Sequence, residues 1–352
     1  MIQRHSIAHR SSFILHPSSF ILHPLCLALL LLLAGCASTG QSSGSLGRWE
    51  GPTQPAKVTT GPWTWVEQPA RVLRTANYNI YTTIEEPEVL DYLSQIMQGA
   101  LAMYQQVAPD VKPGPRPMDC YIFHWRSEWE QYTMRFAGPD AGVYLQIRNG
   151  GYALHDRYVA YYYGRLNTYS VASHEGWHQF AGRNFKGRLP PFLEEGVACM
   201  FESIEWQDNL PRWNLSVNRE RVQQLRKAMD RKSLLPLETV CAMHAGDVVG
   251  EGADKIDAFY AEAWAFARFL YESDNGRFRP ALRKWIAETA DGTVYDPTGS
   301  HRLAQAPWRP AAVRPMIEHY LGMKMPEVSR LYDAWLKHVA YDEFNMHWRG
   351  AL

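Results

Sequence analysis

Cysteine is scarce, at 5 in 352 residues, too few for a fold stapled by disulfides. Neither sign of charge prevails: Lys+Arg and Asp+Glu each number 36. That balance argues against broad electrostatic binding to nucleic acid. No acidic residue precedes Glu50. The apolar run at residues 25–33 is about half of the ~20 residues that span a bilayer as a helix. What remains is a chain of 46% hydrophobic and 20% charged residues, able to bury a sizeable core and not disordered as a whole.

The N-terminal region reads as an export signal. Arg4 and Arg10 supply positive charge, and the short apolar run is followed by the small residues Ala34 and Gly35. Leu33-Ala34-Gly35-Cys36 resembles the lipobox of bacterial lipoproteins. The resemblance implies a signal peptide at 1–35, lipidation of Cys36 and attachment to a membrane in the cell envelope. Ala37 instead of Asp after that cysteine points to an outer membrane, facing the periplasm. SSFILHP occurs twice in tandem, at 11–17 and 18–24, too short a unit to stack into a solenoid. Residues 36–70, rich in Gly, Ser, Thr and Pro, are expected to be a flexible tether, with one folded domain at 71–352. Its cysteines, Cys120, Cys199 and Cys241, allow at most one disulfide, and Cys199 reads as a buried helix residue.

Within the domain, alternating β-branched and aromatic residues predict strands at 72–83, 118–125 and 152–163, the last with a hairpin turn near His155-Asp156. Helical spacing predicts helices at 88–107, 168–181, 191–205, 217–231, 256–272, 278–290, 312–322 and 326–340. A β-rich part at 71–166 followed by a helical part at 167–352 is an α+β arrangement.

The chemistry centres on His174-Glu175-Gly176-Trp177-His178. Residues four apart share a helix face, so both imidazoles can converge on one metal ion, and neutral imidazole suits Zn²⁺. Glu175 stands where it can take a proton from a water at the metal. With 13 histidines in the chain, chance supplies such a motif about 0.02 times in a sequence of this make-up. A helix starting at Pro191 and running antiparallel to the first would bring a third ligand from its inner face, either Glu194 or Glu195.

HEGWH followed by FLEEGVA resembles the gluzincin zinc metallopeptidases, in which H-E-x-x-H is followed by a Glu before Gly-x-Ala on the next helix. The resemblance implies that His174, His178 and Glu195 bind Zn²⁺, that Glu175 is the general base, and that a peptide or protein is the substrate. It favours Glu195 over Glu194 by its register with Gly196 and Ala198. Glu202, seven residues after Glu195 and so on the same helix face, corresponds to a Glu that some members carry to support a ligand histidine. A Tyr or His donor to the oxyanion is also implied, with Tyr260 preferred to His244. Gly150-Gly151-Tyr152 and Tyr260-Ala261-Glu262-Ala263-Trp264-Ala265 extend the similarity to peptidase-MA-like domains of exported bacterial proteins, over about 71–270. A thermolysin-like fold is implied, with 152–163 as the edge strand beside the zinc helix that receives an extended peptide. Gly176 departs from the bulky apolar residue usual there. That departure keeps open a zinc-bearing but catalytically inactive peptide-binding domain, beside the further alternative of a structural envelope lipoprotein without metal.

Overall fold

In the computed structural model, the described residues are 51–248, 252–298 and 309–348. Two antiparallel strands open the fold, β1 (Thr59–Trp65) and β2 (Gln68–Arg74), followed by β3 (Tyr78–Thr82), helix α1 (Pro87–Val107) and β4 (Met118–Phe123). Next come α2 (Arg126–Phe136), the single turn α3 (Ala141–Tyr144), the hairpin β5 (Gly151–Leu154) and β6 (Arg157–Tyr161), and the long helix α4 (Arg165–Asn184). The six strands form one sheet in the order β1-β2-β3-β4-β6-β5. Pairing is parallel for β3–β4 and β4–β6 and antiparallel elsewhere, so β5 is an edge. The arrangement is mixed α+β: the sheet is N-terminal and the remainder mostly helical.

Alternation along the strands sorts the two faces. Tyr78 and Ile80 of β3, Cys120 and Ile122 of β4, and Tyr158 and Ala160 of β6 share one core with α1 and α4. Phe123, Val159 and Tyr161 join a second cluster with Trp129 and Tyr132 of α2. Helix α1 owes its length to Leu90, Leu93, Met97, Leu101 and Tyr104 on one buried face and to Pro87 at its start.

After α4 come α5 (Pro191–Cys199) and a hairpin of β7 (Ile204–Gln207) and β8 (Leu210–Trp213). Helices α6 (Arg219–Asp230), α7 (Leu237–Ala242), α8 (Ala245–Val248), α9 (Ala253–Gly276), α10 (Arg279–Asp291), α11 (Val313–Leu321) and α12 (Met325–Trp348) follow among the described residues. Within α9, Ser273 to Asn275 leave helical geometry, marking a kink near its end. No helix among the described residues is long and apolar enough to cross a membrane.

Four expectations are corrected. Residues 59–70 are not tether but β1 and the start of β2, because Trp63 and Trp65 pack against Tyr81, Phe123 and Tyr132. The strand expected at 72–83 is interrupted by a turn, where Thr75 Oγ1 accepts a hydrogen bond from the Tyr78 N–H at 3.0 Å. The helix expected at 191–205 stops at Cys199. The Phe201 carbonyl there accepts the Trp213 indole N–H at 2.9 Å, and the chain turns into β7. That hairpin, inside the part expected to be helical, turns at Asp208 and Asn209, both with positive φ, a conformation these two residues tolerate. Within the bound of at most one disulfide, Cys120, Cys199 and Cys241 are each a buried free thiol. The signal peptide and Cys36 lie outside the described residues.

Candidate metal centre

Helix α4 is fixed from the side away from its histidines. The Tyr104 hydroxyl of α1 donates to the Ser173 carbonyl at 2.5 Å. The Gln179 amide donates to the carbonyls of Asp119 on β4 and Asp156 at the hairpin turn, at 2.8 and 2.9 Å. Trp177 is fully buried between these anchors. With the helix so held, His174 and His178 bring their Nε2 atoms to 3.3 Å from each other.

Helix α5 supplies the third group. Leu193 and Val197 are buried, and at Gly196 a Cβ would overlap the Ala263 carbonyl of α9. Glycine therefore permits the close crossing that seats α9 beside the site. Glu195 Oε2 lies 3.3 Å from His174 Nε2 and 3.4 Å from His178 Nε2. That oxygen is buried without a well-formed hydrogen bond, an arrangement that suits a cation in the space between the three atoms. Together His174, His178 and Glu195 can hold a metal ion.

Each imidazole is oriented from behind by a second carboxylate. His174 Nδ1 is 2.9 Å from Glu202 Oε1, and His178 Nδ1 is 3.3 Å from Glu194 Oε1. An Nδ1–H donated to a carboxylate leaves Nε2 with the lone pair that a metal needs. Glu202 is itself pinned by Arg221, whose Nε and Nη2 reach its two oxygens at 2.8 and 2.6 Å, and by the Asn218 amide at 2.8 Å.

Without a bound cation the cluster shares protons. Burial lowers the pKa of His178, but the Glu195 charge, the hydrogen bond to Glu194 and the close contact with Glu195 outweigh it and raise it to about 10. His174 is likewise raised, burial being outweighed by its contacts with Cys199, Glu195 and Glu202. Against the cost of burial, the His178 charge and the close approach of both histidines hold Glu195 far below the usual carboxylate range. The buried His174 and Cys199 and the partly buried Glu202 form a second grouping of ligand type. There Glu202 is engaged by Arg221, and burial raises the Cys199 thiol to about 11, so it stays protonated.

Glu175 lies near the Ala153 backbone of the edge strand; burial raises its pKa against the pull of both histidines. Tyr260, on α9, has its ring 6.2 Å from the His174 ring. The Glu195 charge, then burial, raises its hydroxyl well above the ordinary phenol value, so it remains a donor.

Thus six residues singled out from sequence meet at one place: His174, Glu175, His178, Glu195, Glu202 and Tyr260. Glu202 arrives by a different route from the one expected. It lies beyond the end of α5, and the tightened bonds Met200 N–H to Val197 O and Phe201 N–H to Ala198 O swing it back to His174. His244 is exposed, with its Nδ1 accepting from the Gly246 N–H. The sequence did not reveal Arg221, Asn218 or the service of Glu194 to His178. The one available signal was Asn218 as the cap of α6, where its side chain accepts the Arg221 N–H at 3.1 Å.

A family model described as a protein of unknown function, DUF1570, matches residues 168–289. That stretch, similar to the family, runs from α4 into α10 and contains all six residues. No curated protein and no solved structure matches the chain.

Proposed function

We propose that this chain is a zinc-dependent peptidase of the gluzincin type, with a thermolysin-like arrangement of edge strand, zinc helix and ligand helix. The observation that carries the reading is the triangle formed by His174 Nε2, His178 Nε2 and Glu195 Oε2, with sides of 3.3, 3.3 and 3.4 Å. Zinc bonds of about 2.0–2.1 Å in tetrahedral geometry separate neighbouring ligands by about 3.3–3.4 Å. Two imidazoles and a carboxylate, each imidazole backed by a second carboxylate, are also the donor set that zinc favours.

Zinc held there would supply a Lewis acid that polarises a carbonyl and eases loss of a proton from water. The chain's own groups do the rest. Glu175, beside both ligand histidines, accepts the proton of the attacking water and later returns it to the leaving amine. The Tyr260 hydroxyl, kept protonated, donates to the oxygen that becomes negative as water adds to the carbonyl carbon. Edge strand β5 adjoins Glu175 through Ala153, so an extended peptide pairing with β5 would lie across the site. Gly176, whose departure from the family pattern raised the inactive alternative, has a packing reason in Tyr104.

The same reading includes export by residues 1–35 and anchoring through lipid on Cys36. Cys36→Ala should abolish lipid labelling and membrane retention, whereas a soluble native protein with an unmodified Cys36 contradicts the anchor. For the activity, zinc-loaded full chain is assayed against casein and a peptide library, beside Glu175→Gln. Hydrolysis should fall about 10²–10⁴-fold in the variant while zinc is retained. Equal hydrolysis by both proteins overturns the mechanism.

A further inference from the structure

The Arg221 guanidinium meets two parts of the site, and its Nη1 also donates to Gln224 Oε1 at 2.9 Å. Its edge forks onto both oxygens of Glu202, at 2.8 and 2.6 Å. Its central carbon Cζ lies over the Tyr260 ring, 5.2 Å from the centroid. Glu202 passes the contact on to His174 Nδ1 at 2.9 Å. One side chain from α6 therefore touches both the carboxylate behind a metal ligand and the ring of the proposed oxyanion donor on α9.

The surroundings restrict it to that position. Its side chain is 13% exposed and that of Glu202 is 11% exposed. Asn218, at the start of α6, donates from Nδ2 to both Glu202 Oε2 and the Cys199 carbonyl, at 2.8 and 3.0 Å. Its Oδ1 accepts the Arg221 N–H. The helix start that positions Arg221 thus also grips the end of α5. A lysine cannot reproduce this, since an ammonium is a point charge without a fork for the carboxylate or a plane for the ring.

We propose that Arg221 is a positioning residue that couples the orientation of His174, through Glu202, to the placement of Tyr260. The metal-binding half of this inference stands on the geometry alone, and only its catalytic half rests on the peptidase reading.

The test uses full chain with Co²⁺ as a spectroscopic probe in the metal site, comparing Arg221→Lys, Glu202→Gln and Tyr260→Phe. Replacing a partner that orients a ligand weakens metal binding by about 10–100-fold. Arg221→Lys and Glu202→Gln should both weaken Co²⁺ binding in that range and shift its visible absorption bands. Tyr260→Phe should change neither. In peptide hydrolysis, Arg221→Lys should lower kcat with KM little changed, and should lower it less when Tyr260 is already Phe. If Arg221→Lys does not fold, Glu202→Gln tests the same link. Wild-type Co²⁺ affinity and spectrum in a folded Arg221→Lys or Glu202→Gln protein overturns the proposal. A wild-type chain that binds Co²⁺ but hydrolyses no peptide overturns the peptidase reading, and the cobalt readout still decides the role of Arg221.

Discussion

The hydroxyl of Tyr104 occupies the space that a Cβ on Gly176 would fill. Helix α1 thereby presses against α4 midway between His174 and His178, and the Tyr104 hydroxyl anchors the Ser173 carbonyl one residue before His174. Glycine within a helix costs about 1 kcal/mol relative to alanine, and this contact offsets it.

Gly176→Ala should accordingly destabilise the protein by about 1–3 kcal/mol through overpacking, despite the better helix propensity of alanine. The Tyr104→Phe background removes the obstructing oxygen, so the same substitution should cost clearly less there. Denaturant unfolding of the four proteins measures the coupling, and additive effects would contradict the contact.

Glu194 and Glu195 are adjacent in sequence but face different atoms of the same histidine. Glu195→Ala removes a proposed ligand and should abolish stoichiometric metal binding. Glu194→Ala removes only the support for His178 and should weaken binding by about 10–100-fold. A chelator competition titration ranks the two variants; the reverse order would reverse the assignment.

The pH dependence follows from His178, whose pKa without metal is raised from 6.5 to about 10. A raised histidine gives stability that is complete below 6.5 and lost as pH climbs through about 10. The metal-free protein should therefore lose up to about 1.4 kcal/mol per pH unit across that window from this group. Metal must displace the same proton, so metal affinity should climb over the same window. Unfolding in chelator and metal titration at several pH values check the two opposed trends. Trends of the same sign would contradict the shared proton.

Glu262 supplies an independent test away from the metal. It is 2% exposed in α9 and accepts a long 3.4 Å hydrogen bond from the Leu235 N–H. Burial raises its pKa from 4.5 to about 8, so the folded chain holds a proton that the unfolded chain releases. Stability from this group is complete below 4.5 and declines, by up to about 1.4 kcal/mol per pH unit, until pH reaches about 8. Glu262→Gln should match wild type near the lower limit and exceed it near the upper one, as measured by unfolding. A Gln variant less stable at pH 8 would show that the ionised carboxylate has a partner.

The site was more legible in the sequence than its surroundings. His174 and His178 share a helix face by spacing alone, and Pro190-Pro191 marks the start of the helix that carries Glu195. The end of that helix was not legible: it depends on Trp213 reaching the Phe201 carbonyl from 12 residues away. Glu202 stands beside His174 although the helical periodicity that put it on that face does not hold. Arg221 left no trace, because an arginine on an amphipathic helix looks the same whether it meets solvent or a buried carboxylate. The early strands were hidden by their turn-rich composition, although Trp63 and Trp65 were the sign that 59–70 has something to bury. Gly176 became interpretable only once the crossing of α1 was seen.

X-ray absorption at the zinc edge of the zinc-loaded full chain tests the central claim most directly. The account expects one zinc per chain with nitrogen and oxygen neighbours at about 2.0–2.1 Å, from His174, His178 and Glu195, and no sulfur. A sulfur neighbour at about 2.3 Å would place the ion at Cys199 and contradict it, as would a chain that takes up no stoichiometric zinc.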